Sequence, residues 1–285
     1  MATTLAQLSA PGRTTVMGIL NVTVDSFSDG GRYLDPGAAL AHARELVAAG
    51  ADIIDVGAES TRPGATRVPA DVEAERVRTV VGLLHDEGIR TSVDTMRAST
   101  ALAAAEAGVD LINDVSGGLA DKDMYRVMAK TGLPVCLMHW RAERFESASG
   151  AADHGGDVVR DVHEVLAKLT ADAIAAGVDP AQITVDPGLG FAKTPEENWA
   201  LLNALPEFIA GDFPVLVGAS RKRFLTAIRA ERGLGHTPVD ADPATAAVTA
   251  LSAAAGAWCV RVHEVAVSRD AVDVAAAWKA GASRG

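Results

Sequence analysis

Eight apolar, β-branched runs in this chain each end in residues able to do chemistry: Asn21; Asp55 with Glu59; Asp94; Asn113 with Asp114; His139; Asp186; Ser220 with Lys222; and Arg261 with His263. A single Asn, Asp or Ser at such a place is ordinarily a turn former. Eight sets together weigh differently, because burying polar groups without partners or a ligand costs about 1–3 kcal/mol each. A polar ligand pocket is the economical reading. Asp94, Asn113, Asp186 and Lys222 offer acceptors and donors that match the edge of a flat, nitrogen-rich heterocycle. Arg261 and His263 stand two apart on one run, so they face the same side and together suit a phosphate or pyrophosphate. Asn21 is a weak lone oxygen ligand, and Mg²⁺ held there would keep several waters and lean on substrate phosphates. His139 and His263 lack the spacing of a zinc site. For Lys222 a Schiff base is the alternative to hydrogen bonding.

The elements that must position these groups follow from periodicity. A first strand carries Val16, Ile19 and Leu20, and further strands are expected over residues 53–57, 89–94, 111–114, 133–140, 183–186, 215–218 and 258–262. Helical periodicity covers 36–50, 71–87, 99–107, 123–130, 158–176, 195–208, a stretch from about 224, 244–255 and 267–279. Eight strands alternating with helices imply a parallel sheet, and eight units in about 250 residues match a single α/β domain built as a (β/α)₈ TIM barrel. A doubly wound open sheet is the competing architecture, but no GxGxxG follows a strand. No domain boundary interrupts residues 1–285, with 1–13 an N-terminal extension. Long loops are expected after strands 1, 2 and 5. The first, residues 22–36, is roughly three times the usual βα connection.

Composition narrows the function classes. With 285 residues, 48% of them hydrophobic and only 4% aromatic, the chain favours helix-on-sheet packing over a β-sandwich. A formal net charge of −11 at pH 7 argues against a nucleic-acid binder. An anionic ligand therefore needs a local cationic pocket, for which Arg221-Lys222-Arg223, Arg62, Arg67 and Arg261 with His263 are the candidates. Cys136 and Cys259 sit in apolar runs without CxxC spacing, which reads as two buried free thiols in a reducing cytoplasm. The N-terminus lacks the build of a secretory signal, and no apolar run reaches transmembrane length.

The stretches ILNVTVDSFSDGG (19–31), DIIDVGAESTRPG (52–64), SVDT (92–95), INDVSG (112–117), DPGLGF (186–191), GASRK (218–222) and RVHEV (261–265) occur in order along the chain. As a set they resemble the dihydropteroate synthase family, folate-pathway transferases inhibited by sulfonamides. The resemblance implies condensation of 6-hydroxymethyl-7,8-dihydropterin pyrophosphate with 4-aminobenzoate, with Mg²⁺ as cofactor and a homodimeric assembly. It implies that Asp94, Asn113, Met138, Asp186 and Lys222 hold the pterin. Asn21, Arg62, Arg261 and His263 would take pyrophosphate, with Asn21 on the metal. Phe27, Thr61, Pro63, Phe191, Ser220 and Lys222 would hold aminobenzoate. It further implies a dissociative reaction in which pyrophosphate leaves first, assisted by Arg261 and His263, with Asp94 and the loop residue Asp35 stabilising the cation. Val24 stands where the family commonly has proline, which restores a backbone donor and frees φ. A pterin-binding methyltransferase would share the pocket but needs neither GASRK nor RVHEV, and a non-catalytic pterin-binding copy would be expected to lose the Arg/His pair.

Overall fold

The computed structural model describes residues 3–22, 35–59, 68–142 and 152–282. Its strands are β1 (Thr15–Asn21), β2 (Ile53–Gly57), β3 (Thr91–Asp94), β4 (Leu111–Asp114), β5 (Val135–Met138), β6 (Ile183–Asp186), β7 (Leu216–Val217) and β8 (Cys259–Val262). All paired neighbours run parallel, in the order β6-β5-β4-β3-β2-β1-β8-β7. A parallel bridge from Val185 to Val215 joins the two ends of the sheet and brings it to a nearly closed barrel. The expected (β/α)₈ architecture is therefore present. The observed strands are shorter than expected for β3, β5, β7 and β8, although backbone hydrogen bonds from Ile54 N to Arg90 O and from Ile112 N to Pro134 O carry the pairing one residue before the starts of β3 and β5.

The helices are α1 (Leu5–Leu8), α2 (Pro36–Ala48), α3 (Ala70–Asp86), α4 (Ala98–Glu106), α5 (Met124–Thr131), α6 (Val158–Ala175), α7 (Pro195–Asn203), α8 (Leu205–Ile209), α9 (Arg223–Glu231), α10 (Asp242–Ala255) and α11 (Val265–Ala282). Their ends follow local chemistry. Asp35 caps α2 by accepting from Gly37 N at 3.1 Å, with Pro36 at the first helical position. Thr194 and Glu197 form a reciprocal capping box at α7. The single helix expected over 195–208 is two, because Pro206 lacks an N–H and its ring crowds the carbonyl four residues back.

Inside the barrel the period-2 alternation sorts side chains by height. Met17, Ile53, Leu111, Cys136, Leu216 and Cys259 form the apolar bottom, and Leu8 of α1 packs against them, 1% exposed. The N-terminal extension thus stoppers the end of the barrel opposite the polar ring. Gln182 Oε1 accepts from Leu5 N at 2.8 Å, and Trp258 Nε1 donates to Ser9 Oγ at 2.9 Å. Both cysteines are free and fully buried, and burial pushes their thiols up, so they act as small apolar side chains.

Candidate active site

One turn of alternation above the apolar bottom, the inward positions become polar: Asp55 on β2, Asp94 on β3, Asn113 on β4, Asp186 on β6 and Arg261 on β8. Arg261 is the hub. Its Nε donates to Asp55 Oδ2 at 2.5 Å and its second terminal nitrogen to Asp94 Oδ2 at 2.7 Å. Asn113 Nδ2 reaches Asp55 Oδ2 at 3.4 Å, and Asp55 Oδ1, in a side chain with no exposure, has no hydrogen-bond partner among the described residues. Two carboxylates on one guanidinium leave an excess negative charge on the floor of the mouth. Burial pushes the Asp94 carboxyl up to about 7, with Arg261 opposing and Asp55 adding to the shift. Burial alone would lower Arg261, but its two carboxylates outweigh it and hold the guanidinium charged.

Across the mouth stands a second charged pair. Asp186 Oδ1 accepts from Gly188 N at 2.7 Å, while Lys222 donates to the Leu189 carbonyl and holds its Nζ 4.4 Å from the centre of the Phe191 ring. Burial brings Lys222 down to about 8, against the pull of Asp186. Burial raises Asp186, with Lys222 opposing. Of the basic run at 221–223 only Lys222 serves the mouth. Arg221 adopts φ 58° and turns to a bidentate pair with Asp242, at 2.7 and 2.8 Å, and Arg223 is exposed at the start of α9.

Past the end of β8, His263 Nδ1 lies 3.0 Å from Ser220 Oγ, which also accepts from His263 N at 3.1 Å. Ser220 thereby couples the β7 and β8 loops. Asn21 closes the ring at the end of β1, in register with Gly57. A side chain at Gly57 would meet Asn21 Oδ1 and Asp94 Cβ, each at 3.7 Å, so glycine keeps that part of the mouth open. An apolar wall of Met96, Val115, Met138, Trp140 and Ala192, with Phe191 packed against it, rises over strands β3 to β6. The Trp140 and Phe191 rings lie 5.1 Å apart.

Alternation also separates neighbours. Asn113 points inward, whereas Asp114 accepts from Ser116 N, Ser116 Oγ and Gly118 N at 2.7–2.8 Å and shapes the β4 loop. His139, next to Met138, faces away from the mouth. Its Nε2 lies 3.3 Å from Asp161 Oδ2, and its Nδ1 accepts from Lys193 Nζ at 3.0 Å. Burial, with Lys193 beside it, pushes His139 down to about 3, so the imidazole is neutral. Among the described residues, His139, His154 and Asp161 form the one trio close enough to hold a metal ion. Arg141 already donates to both Asp161 oxygens, and the Lys193 ammonium adjoins His139, so the cluster is built as a closed hydrogen-bond network.

The structure thus brings Asp94, Asn113, Met138, Asp186, Phe191, Ser220, Lys222, Arg261, His263 and Asn21 to one end of the barrel. Asp35 is exposed and caps α2. Phe27, Thr61, Arg62 and Pro63 lie outside the described residues. Asp55 stood in the polar ring without a role, yet it is the main counter-ion of Arg261. Its inward position, two residues before Gly57, was the available signal. Met96 and Val115 of the apolar wall and Lys193 of the β6 loop carry no signal in the sequence, whereas Trp140, two residues beyond Met138, shares its parity.

A parallel barrel with a polar, charge-paired ring at the C-terminal strand ends defines a small-molecule enzyme. The chain belongs to the pterin-binding enzyme family: the family model described as "Pterin binding enzyme" matches residues 17–263. The chain's relatives within that family include dihydropteroate synthases. The one from Mycobacterium leprae (strain TN) is 51% identical over 264 residues, covering 92% of this chain and 93% of that one. The solved dihydropteroate synthase of Xanthomonas albilineans with 4-aminobenzoic acid matches with a TM-score of 0.83 at 39% identity, covering 94% of this chain and 93% of that one. That of Burkholderia cenocepacia, complexed with 7,8-dihydropteroate, matches with a TM-score of 0.85 at 36% identity, covering 96% and 94%.

Proposed function

We propose that the barrel mouth condenses 6-hydroxymethyl-7,8-dihydropterin pyrophosphate with 4-aminobenzoate, giving 7,8-dihydropteroate and pyrophosphate. The observation that carries this reading is Arg261 held between Asp55 and Asp94 on the interior face, with Asn113, Asp186 and Lys222 around it. Asp94, Asn113, Asp186 and Lys222 present acceptors and donors to the pterin edge, with Met138 against the ring face. Arg261 and His263, with Arg62 from the second loop, bind the pyrophosphate. Ser220, Lys222 and Phe191 hold aminobenzoate, whose ring Phe27, Thr61 and Pro63 complete.

The reaction runs as a dissociative displacement. The bond between the pterin methylene and the bridging oxygen breaks first, and its electron pair leaves with pyrophosphate toward Arg261 and His263. The positive charge left on the methylene is stabilised by the carboxylates of Asp94 and Asp55, with Asp35 adding negative charge from the end of the first loop. The arylamine nitrogen then forms the new C–N bond and gives up a proton, which the departing pyrophosphate accepts. No covalent nucleophile is required, and Lys222, bonded to the Leu189 carbonyl, acts by hydrogen bonding.

Asn21 would hold Mg²⁺: its amide oxygen is a hard donor beside Gly57 and the Asp94 side chain, a set that suits this ion with waters and pyrophosphate oxygens completing its shell. When bound, the ion neutralises charge on the leaving group. Purified protein given both substrates is expected to form dihydropteroate, to stop on addition of EDTA and to resume with excess Mg²⁺. Turnover unaffected by EDTA would remove the ion from the account, and no product from folded protein would remove the synthase reading.

The protein is also proposed to work as a cytoplasmic homodimer. Among the described residues no helix is long and apolar enough to cross a membrane. Val267, Val274 and Trp278 share one face of α11 and are 46%, 60% and 83% exposed, and Leu251 of the adjoining α10 is 72% exposed. An apolar face of that kind on a soluble enzyme suits a partner copy. Sedimentation at micromolar concentration is expected to show a dimer; a monomer would contradict it.

A further inference from the structure

The loop after β6 has a backbone that only a firm anchor would keep in place. Gly188 and Gly190 adopt φ 72° and 75°, and Ala192, which bears a side chain, adopts φ 50°. A Cβ at Gly188 would lie 1.9 Å from the His139 carbonyl oxygen, so glycine is obligatory at this close approach. The same loop carries two features of the aminobenzoate side of the mouth: the Leu189 carbonyl that receives Lys222, and the Phe191 ring on which Lys222 and Trp140 rest.

At its end sits Lys193, 7% exposed and outside every role assigned above. Its Nζ meets three acceptors: Gly188 O at 2.9 Å, Phe191 O at 3.2 Å and His139 Nδ1 at 3.0 Å. Burial, with Lys222 nearby, pushes Lys193 down to about 7, and below that value its ammonium has three protons, each of which finds one acceptor. Two of these acceptors belong to the loop itself, so the ammonium closes it into a ring, and the third belongs to the residue just past β5. The third is fixed in turn. His139 keeps Nδ1 as an acceptor because its Nε2 faces Asp161, which Arg141 and His154 hold in place, and His154 Nε2 sits 3.2 Å from Ala192 O on the same loop. Burial pushes His139 far below its usual range and so keeps Nδ1 unprotonated.

Resting on the aminobenzoate reading of this side of the mouth, we propose that Lys193 is a positioning residue for the arylamine: its buried ammonium clamps the β6 loop so that Phe191 and the Leu189 carbonyl hold the aromatic ring and Lys222 in place. Lys193 touches neither substrate. It acts through the loop: Asp94 and Asn113 stand on strands that the clamp does not touch, whereas Asp186 and Lys222 meet it only at its edge, through Gly188 N and the Leu189 carbonyl.

The test is steady-state kinetics on Lys193→Met, which keeps the length of the side chain and removes the ammonium. The KM for 4-aminobenzoate is expected to rise about tenfold, the loss typical of a charged hydrogen-bond donor. The KM for the pterin pyrophosphate and kcat are expected to change less, by about threefold at most, because Asp94 and Asn113 sit on rigid strand ends and Asp186 and Lys222 touch the clamped loop through one hydrogen bond each. Should Lys193→Met not fold, Lys193→Arg carries the test: a planar fork cannot meet three acceptors that converge on one nitrogen, and a rise of about threefold confined to aminobenzoate is expected. An unchanged aminobenzoate KM, or an equal rise for both substrates, overturns the proposal. Wild-type turnover in the same assay tests the subsite reading by itself, so a failure of the clamp and a failure of that reading are told apart.

Discussion

Asp94→Asn is expected to lower turnover by about 10²–10³-fold, the range seen when one preorganised electrostatic stabiliser of a transition state is removed. The side chain that remains keeps hydrogen-bonding atoms but has no charge to set against the methylene cation. The same substitution changes how the ligand-free protein responds to pH. Burial raises the Asp94 carboxyl from an ordinary value of 3.8 to about 7, so its folded value lies above its unfolded one. Its contribution to stability is therefore fully present below the unfolded value and is lost as pH rises through about 7. Wild type is expected to lose thermal stability between pH 5 and pH 8 more steeply than Asp94→Asn, while Asp114 and Asp186, raised in the same direction, keep their share in both proteins. Melting curves at the two pH values read this, and parallel loss in both proteins would contradict it. In the free enzyme kcat/KM should rise as Asp94 ionises near 7 and fall as Lys222 loses its proton near 8. Asp94→Asn should lack the rising limb.

Arg261→Met is expected to cost about 3–5 kcal/mol of unfolding free energy at pH 8, the usual result of taking one partner from a buried ion pair. Here the consequence is doubled, because two carboxylates share the guanidinium. Asp55, with no exposure, would keep among the described residues only the distant amide of Asn113. Without the cation that opposes its upward shift Asp94 favours its protonated form more strongly, so the loss should be largest above pH 7 and shrink toward pH 5. Urea unfolding at the two pH values measures it. A loss below about 1 kcal/mol at pH 8, the scale of an exposed pair, would show that Arg261 is not their counter-ion.

How much of this was legible in the sequence depends on which force set each residue's position. Strand alternation carried the most signal: Asp55, two residues before Gly57, and Asn113 point inward by a period of 2, and the same period corrects the grouping of Asp114 and His139 with the polar ring, since each faces away beside an inward neighbour. The eight-unit order was legible for the same reason, since each apolar run is short and each helix ends in a readable cap or glycine. Backbone-driven turns were not legible. Nothing in the local pattern says that Arg221 takes a left-handed φ and pairs with Asp242, leaving Lys222 alone at the mouth. Nor does a four-residue helix announce itself as the stopper of the barrel, because Leu8 finds its partners on six different strands. Lys193 falls in the same class: its acceptors come from the residue just past β5 and from carbonyls of its own loop, which carry no side-chain signature.

The paired carboxylates over Arg261 are proposed to stabilise a methylene cation after pyrophosphate has left. Positional isotope exchange tests this most directly. Dihydropterin pyrophosphate labelled with oxygen-18 at the bridge to the methylene is incubated with the protein and Mg²⁺ without aminobenzoate, and phosphorus NMR follows the label. Movement of the label into non-bridging positions is the predicted result, because the freed pyrophosphate rotates before the bond re-forms. A label that stays at the bridge, in protein that turns over once aminobenzoate is added, would contradict the account.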